Sequence, residues 1–507
     1  MNRKRASGVL CHVSSLPGTR GIGTLGCEAR AFAELLNRAG IRYWQILPLG
    51  PVEQHTGYSP YASPSSFAGN WMIISLEDMA AESWCGSSIL PPPIEESYFV
   101  DFQAVDQAKR QALTLACDLF FKNASDEELA LFETFTTRED YWLRDYSMYA
   151  AIAEKEGTGD WLSWHPDLSF REPKAIKRFA QELKNRIRFH QFVQFLFFKQ
   201  WAALKEHCAK NSVSIIGDIP IYVILEGADA WSNPDILMLD RKTHRPLAVA
   251  GVPPDYFSDT GQRWGNPLYR WHDGRSLAKP TLRWWEARIR HLSRLVDIIR
   301  IDHFRGFEAF WSIPPDEPTA VHGGWVKGPG KKFFIELMKR LGSLNLIAED
   351  LGVITPEVEL LRDELRLPGM KVLQFAFDQN NKNYYLPHNI SNPNCVLYTG
   401  THDNNTINGW FYGEEISDET RAYILEYLGH EDWSEFHWKL IRVAYQSVAD
   451  LIVIPVQDII GFGSEFRMNT PGTVEGNWRF KLMSGTITEE MIQRLRRMGQ
   501  LYNRLGE

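Results

Sequence analysis

Eight short apolar runs punctuate the chain, each rich in Val, Ile or Leu and nearly all followed or closed by Gly, Pro, Asp or His. In order they are GVLCHV, YWQILPL, VSIIGD, VDIIRID, NLIAED, MKVLQFAFD, CVLYTGTHD and LIVIPVQD. Short runs of unbroken apolarity mark strands buried on both faces, as in a parallel sheet. Between several of them the pattern changes to that of an amphipathic helix. EARAFAELLNRAG stops at Gly40, a candidate C-terminal cap, and KKFFIELMKRLG stops at Gly342. In TPEVELLRDEL, Thr355 is placed to cap the first turn and Pro356 takes the first helical position, where its missing donor costs nothing. Strand followed by helix, eight times over, predicts an α/β fold of the (β/α)8 TIM-barrel class.

Two intervals break the repeat. Residues 71–210 separate the second and third strands, and their Pro-free end, from about 175 to 210, is helical in pattern and aromatic-rich. This predicts an inserted, mostly helical subdomain. Residues 223–281 contain GVPPDYFSDTGQRWGNPLYRW, dense in Gly, Pro and aromatics, and read as a long structured loop after the third strand. Loops that follow barrel strands carry function, so this one is a candidate lid over the mouth. The length alone allows about three domains. The pattern instead predicts one catalytic barrel over 1–507 with two large insertions.

Composition narrows the function. With 44% hydrophobic and 23% charged residues the chain has ordinary globular character. The net charge is −8 with no long run of one sign, which argues against a nucleic-acid surface or a polybasic membrane patch. Aromatics are abundant, at 18 Trp, 18 Tyr and 28 Phe. Their flat faces suit stacking on sugars, bases or Pro-rich peptides as well as core packing. The six cysteines form no CxxC pair, which predicts free buried thiols in a reducing compartment. The N-terminal apolar run is too short for a secretory core, and FVQFLFFKQWAAL falls short of a membrane span. A cytoplasmic protein follows, or a plastid one if a transit peptide has been removed.

In a barrel the C-terminal ends of the strands converge, so the residues closing each run matter most. Those ends supply Asp218, Asp302, Glu349 and Asp403. Side chains alternate along a strand, so Arg300 and Asp302 point the same way, and the guanidinium is expected to lower the pKa of Asp302 and keep it ionised, as a nucleophile must be. Glu349, near other carboxylates, is expected to hold a proton near neutrality, as a general acid must. Asp350, on the opposite face, is expected to tie down a loop or helix start. Asp403, beside His402, could stabilise positive charge developing on a substrate. A structural ion pair at a strand end is the bland alternative for Asp302, and a rim salt bridge that for Glu349. A metal site built from Asp302, His303, Glu349, His402 and Asp403 is a further one, although no HxH or HExxH spacing accompanies it and Arg300 would repel a cation. Two carboxyl groups of different protonation state among aromatics are the equipment of glycoside chemistry.

The segments SSLPGTRGIGTLG, WQILPLGP, GYSPYASPSSFAGN, GDIPIYV, PPDYFSDTGQRWGNPLY, RIDHFRG, IAEDLG, QFAFD, GTHDNNT and EGNW, in this order and spacing, closely resemble the 4-α-glucanotransferases called amylomaltases or disproportionating enzymes, relatives of the α-amylase group. The resemblance implies transfer of an α-1,4-glucan segment to glucose or a maltodextrin, with no cofactor and no metal. It implies that Asp302 is the nucleophile, Glu349 the acid/base and Asp403 the transition-state stabiliser. It also implies that Arg300 orients Asp302, that Asp218 supports the cluster, that His303 and His402 bind the donor sugar, and that Tyr61 stacks on it, with Asp378 farther along the donor side. Tyr256, Phe257 and Trp264 of the lid would limit water access and face the incoming sugar. Asn469 matches a near-C-terminal binding segment, with Thr470 where some relatives have Tyr. An α-amylase-like hydrolase and a glucan-binding barrel without catalysis are the competing expectations.

Overall fold

The computed structural model describes residues 5–254 and 258–505. All eight apolar runs overlap strands: β1 (Ala6–Leu10), β2 (Tyr43–Gln45), β3 (Ser214–Ile219), β4 (Ile298–Ile301), β5 (Leu346–Ala348), β6 (Gly369–Val372), β7 (Cys395–Tyr398) and β8 (Leu451–Pro455). They pair in parallel, in the order β5-β4-β3-β2-β1-β8-β7-β6. The two ends of that order meet where the Ala348 N–H donates to the Pro368 carbonyl at 2.9 Å, so the sheet is a nearly closed (β/α)8 barrel. The high apolarity of the runs has its cause here, since both strand faces are covered: Ile452, Val453 and Ile454 are all fully buried.

Helices Cys27–Arg38, Lys279–Leu295 and Gly330–Leu341 each bury an apolar stripe. The first ends as expected, with Gly40 in the left-handed region at φ +72°. Thr355 does precede helix Pro356–Glu364, but its side chain makes no capping bond to the backbone of the first turn; that expectation fails because its hydroxyl bonds the Glu357 carboxylate instead. Five cysteines are buried and all six are free, while Cys27 is exposed at the start of its helix, against the expectation of burial.

The interval 71–210 holds helices Phe102–Asn123, Asp126–Arg138, Asp140–Glu156, Pro173–Glu182 and Lys184–Lys210. Phe120, Phe132, Phe192 and Phe195 pack ring against ring at their centre. The last helix serves both parts of the molecule. It begins in this cluster, hydrogen-bonds through Trp201 to the Leu295 carbonyl at 3.0 Å, and leads into β3.

The interval 223–281 is more regular than a loop. Val249–Val252 and Gln262–Pro267 join Ala309–Ile313 and Gly324–Lys327 in a four-stranded sheet with antiparallel pairing. Two of these strands lie outside the interval, a non-local pairing that local pattern does not announce. Gly251 masks the signal further. A Cβ there would stand 2.2 Å from the Gln262 carbonyl oxygen, so the close pairing requires glycine. Most of the 18 tryptophans are buried. No helix among the described residues is long and apolar enough to cross a membrane.

Candidate active site

The parallel pairing of β3 with β4 sets Asp218 opposite Arg300. Opposite residues share a face, and the Arg300 Nη1 donates to Asp218 Oδ2 at 2.6 Å and to Asp302 Oδ1 at 3.0 Å. The Tyr61 hydroxyl donates to the same Asp218 oxygen at 2.7 Å. One buried guanidinium is thus shared by two carboxylates, and a phenol supports the deeper one. The Tyr61 ring lies against His402, nearly parallel at 17° with centroids 4.8 Å apart.

Asp302 follows the last residue of β4 and keeps 28% of its side chain open to the cleft. The expected lowering of its pKa is overturned. Burial pushes it up to about 6, with Arg300 pulling down and Asp218 pushing up. Glu349, immediately after β5, accepts the His303 N–H at 2.6 Å and the Leu351 N–H at 2.8 Å, one on each oxygen. Burial, then the charge of Asp302, push it up to about 7 against Arg300 and those two donors. The His303 backbone itself is left-handed, at φ +49° and ψ +49°. Its ring stays neutral, since burial and then Arg305 lower it to about 3. Asp350 accepts from the Met370 N–H at 2.7 Å and Arg362 at 2.5 Å, tying β6 and helix Pro356–Glu364 to the end of β5.

Asp403 behaves in the opposite way to its two neighbours. Burial works upward, but the charge and hydrogen bond of His402 and an amide donor from Asn469 outweigh it and hold the carboxyl down at about 2. His402 Nε2 stands 3.3 Å from one oxygen and Asn469 Nδ2 2.6 Å from the other. Burial alone would lower His402, yet Asp403 keeps its pKa above the ordinary value. β3, β4, β5 and the segment after β7 therefore deliver their carboxylates to one mouth.

The 223–281 interval contributes Trp264, edge-on to the His303 ring at 4.8 Å. Tyr256 and Phe257 lie outside the described residues. Asp378 does not join the cluster. Its run forms a strand only as far as Val372, and Asp378 sits exposed in a later turn, accepting the Asn380 N–H at 3.0 Å.

Sequence reasoning assigned no role to Trp478 or Arg467. The Trp478 ring lies 5.7 Å from that of Tyr61 and 5.9 Å from that of His402, and Arg467 donates to the Asp403 carbonyl at 2.5 Å. The EGNW segment was the available signal for the first. For Arg467, 64 residues from its partner, local pattern offers none. Among the described residues no three His, Cys, Asp or Glu side chains stand together as metal ligands. An anion held at low pKa, a carboxyl poised near neutrality and a partly open carboxylate can divide the tasks of charge stabilisation, proton transfer and nucleophilic attack.

The model of the 4-alpha-glucanotransferase family matches residues 11–487. A 4-alpha-glucanotransferase of Thermus thermophilus is 45% identical, with all of each chain aligned. One from Synechocystis sp. is also 45% identical, over 99% of this chain and 98% of the other. Among solved structures, an amylomaltase from Streptococcus agalactiae in complex with acarbose superposes with a TM-score of 0.93 at 36% identity, covering 99% of this chain and 100% of that one.

Proposed function

Since the chain belongs to the 4-alpha-glucanotransferase family and is an enzyme of that activity, we propose that it works by a retaining double displacement through a covalent glycosyl-enzyme. Asp302 attacks the anomeric carbon of an α-1,4-glucan while Glu349 gives its proton to the departing 4-oxygen. The donor segment is then esterified to Asp302. The 4-hydroxyl of glucose or a maltodextrin attacks the same carbon, the ester bond breaks, and the acceptor's proton passes to Glu349. Each displacement inverts the anomeric centre, so the product keeps the α configuration.

The observation that carries this reading is the divergence of three neighbouring carboxylates. Asp403 is held at about 2 while Asp302 and Glu349 lie at about 6 and about 7. Between about pH 6 and 7 the nucleophile is ionised while the acid still holds its proton, and Asp403 remains an anion for the oxocarbenium-like transition state. Arg300 and Asp218 orient Asp302 from below. Tyr61, His303 and His402 offer rings and polar edges to the donor sugar, Trp264 covers it, and Tyr256 and Phe257 would extend that cover. Asp378 would act only on a longer donor. The ligand is a neutral maltooligosaccharide, which needs neither a basic surface nor a cofactor.

Incubation with maltotriose tests the proposal. Transfer yields glucose and a ladder of longer chains at nearly constant reducing ends, and acarbose should inhibit it. Reducing ends that climb as fast as glucose appears would make the protein a hydrolase. Binding without new chain lengths would make it a glucan-binding barrel.

A further inference from the structure

Resting on the reading of Asp403 as the stabilising carboxylate, we infer that Asn469 and Arg467 are positioning residues that fix Asp403 in its working orientation from the far end of the chain. Asp403 lies five residues beyond the end of β7, in a segment without regular structure, so the barrel alone does not fix its side chain. Asn469 Nδ2 donates to Oδ1 at 2.6 Å, while His402 holds Oδ2 at 3.3 Å. Arg467 Nη2 donates to the Asp403 carbonyl at 2.5 Å, and its Nε donates to the Asn469 carbonyl at 2.7 Å. One guanidinium therefore couples the backbone that carries the acid to the backbone that carries its amide partner.

The loop bearing these residues is closed on itself. The Thr470 N–H donates to Asn477 Oδ1 at 2.9 Å and the Trp478 N–H to the Met468 carbonyl at 2.7 Å. Trp478 then returns to the site, with its ring against both Tyr61 and His402. Segment 467–478 so grips His402 from one side and Asp403 from the other. An amide donor against a carboxylate favours the ionised form, and Asn469 is among the groups that hold Asp403 low. This places Asn469 on the catalytic anion itself rather than only on an outer donor sugar.

The discriminating substrate is α-glucosyl fluoride, which occupies only the sugar position next to the nucleophile and, with a good leaving group, makes little demand on Glu349. Fluoride release with glucose or maltose as acceptor should fall about 10- to 100-fold in kcat for Asn469→Ala, the size expected for one hydrogen bond to an ion. KM should change little. Asn469→Ser should lose less than Asn469→Ala, and it keeps the test available if the alanine variant folds poorly. Asn469→Asp should show a variant-to-wild-type ratio that is higher in acid than in alkaline buffer, because the introduced carboxyl can donate to Asp403 only while it holds its proton. Asp403→Asn is measured alongside. If Asp403→Asn collapses fluoride release while Asn469→Ala leaves it at the wild-type rate and slows only maltotriose, the positioning role is wrong and Asn469 is an outer sugar contact. If Asp403→Asn itself releases fluoride at the wild-type rate, the reading of Asp403 fails, and the inference with it.

Discussion

Replacing Arg300 with Met tests whether one guanidinium sets the ionisation of Asp302, the proposed nucleophile. Arg300 is 4% exposed and its Nη1 is shared by Asp218, whose side chain is fully buried, and Asp302. An adjacent Arg lowers a carboxylate pKa by about 1–3 units, so its removal moves Asp302 from about 6 to roughly 7–9. At about pH 7 the ionised fraction then drops about 2- to 100-fold, and kcat/KM drops with it. The acid limb should move to higher pH, so the loss shrinks as the buffer is made alkaline. The alkaline limb should follow, because Arg300 also lowers Glu349. Asp218, left with the Tyr61 hydroxyl alone, becomes an uncompensated buried charge at a cost of about 3–5 kcal/mol in urea unfolding. Initial rates of glucose release from maltotriose across the pH range, in wild type and variant, measure the shift directly. A variant whose activity falls by the same factor at every pH, with both limbs unmoved, would refute this account and leave Arg300 a structural ion pair.

Three further outcomes follow from the same geometry. Wild-type kcat/KM should be bell-shaped, with limbs near 6 and 7 from Asp302 and Glu349; a plateau extending well into alkaline buffer would show that Glu349 is not the acid. Glu349→Gln should lower transfer from maltotriose by several orders of magnitude yet keep an initial burst of fluoride from α-glucosyl fluoride, whose departure needs no proton; equal loss on both substrates would remove the acid role. Trp264→Ala should raise the ratio of hydrolysis to transfer about tenfold by opening the site to water, read as reducing ends per glucose released, and an unchanged ratio would mean that Trp264 merely packs on His303.

What the sequence revealed, and what it concealed, divides along a physical line. Strand identity was legible because a strand buried on both faces is mostly apolar, and β1 to β8 each overlap an expected run. The carboxylates were legible because strand ends are fixed points of a barrel: Asp302 and Glu349 each follow directly on their strands. The MKVLQFAFD run outlasts its strand because an apolar run can continue past the last ladder bond into an irregular turn, as after Val372. The four-stranded antiparallel sheet was hidden because its pairing is non-local and its alternation is interrupted by Gly251. The sign of the Asp302 shift was misjudged for a different reason. Arg300 acts in the expected direction, but how much protein surrounds the carboxylate is a property of the assembled site, and it dominates.

That dominance has a thermodynamic consequence. Asp302 and Glu349 bind protons more tightly folded than unfolded, so their contribution to stability is present in acid and is lost as the pH rises through about 6 and about 7. Asp403 runs the other way, contributing above its unfolded value and losing that contribution only as the pH falls through about 2. In the working range the fold therefore carries an Asp302 charge that its surroundings disfavour. Asp302→Asn, which imitates the protonated form, should abolish transfer and yet raise unfolding stability in mildly alkaline buffer by about 1–2 kcal/mol. The gain should fade as the pH is lowered toward about 4, where the wild-type carboxyl is itself neutral. Urea denaturation of the two proteins at several pH values reads this difference. A variant that is inactive but no more stable than wild type in alkaline buffer would show that Arg300 fully offsets the burial of Asp302, and that the site exacts no such penalty.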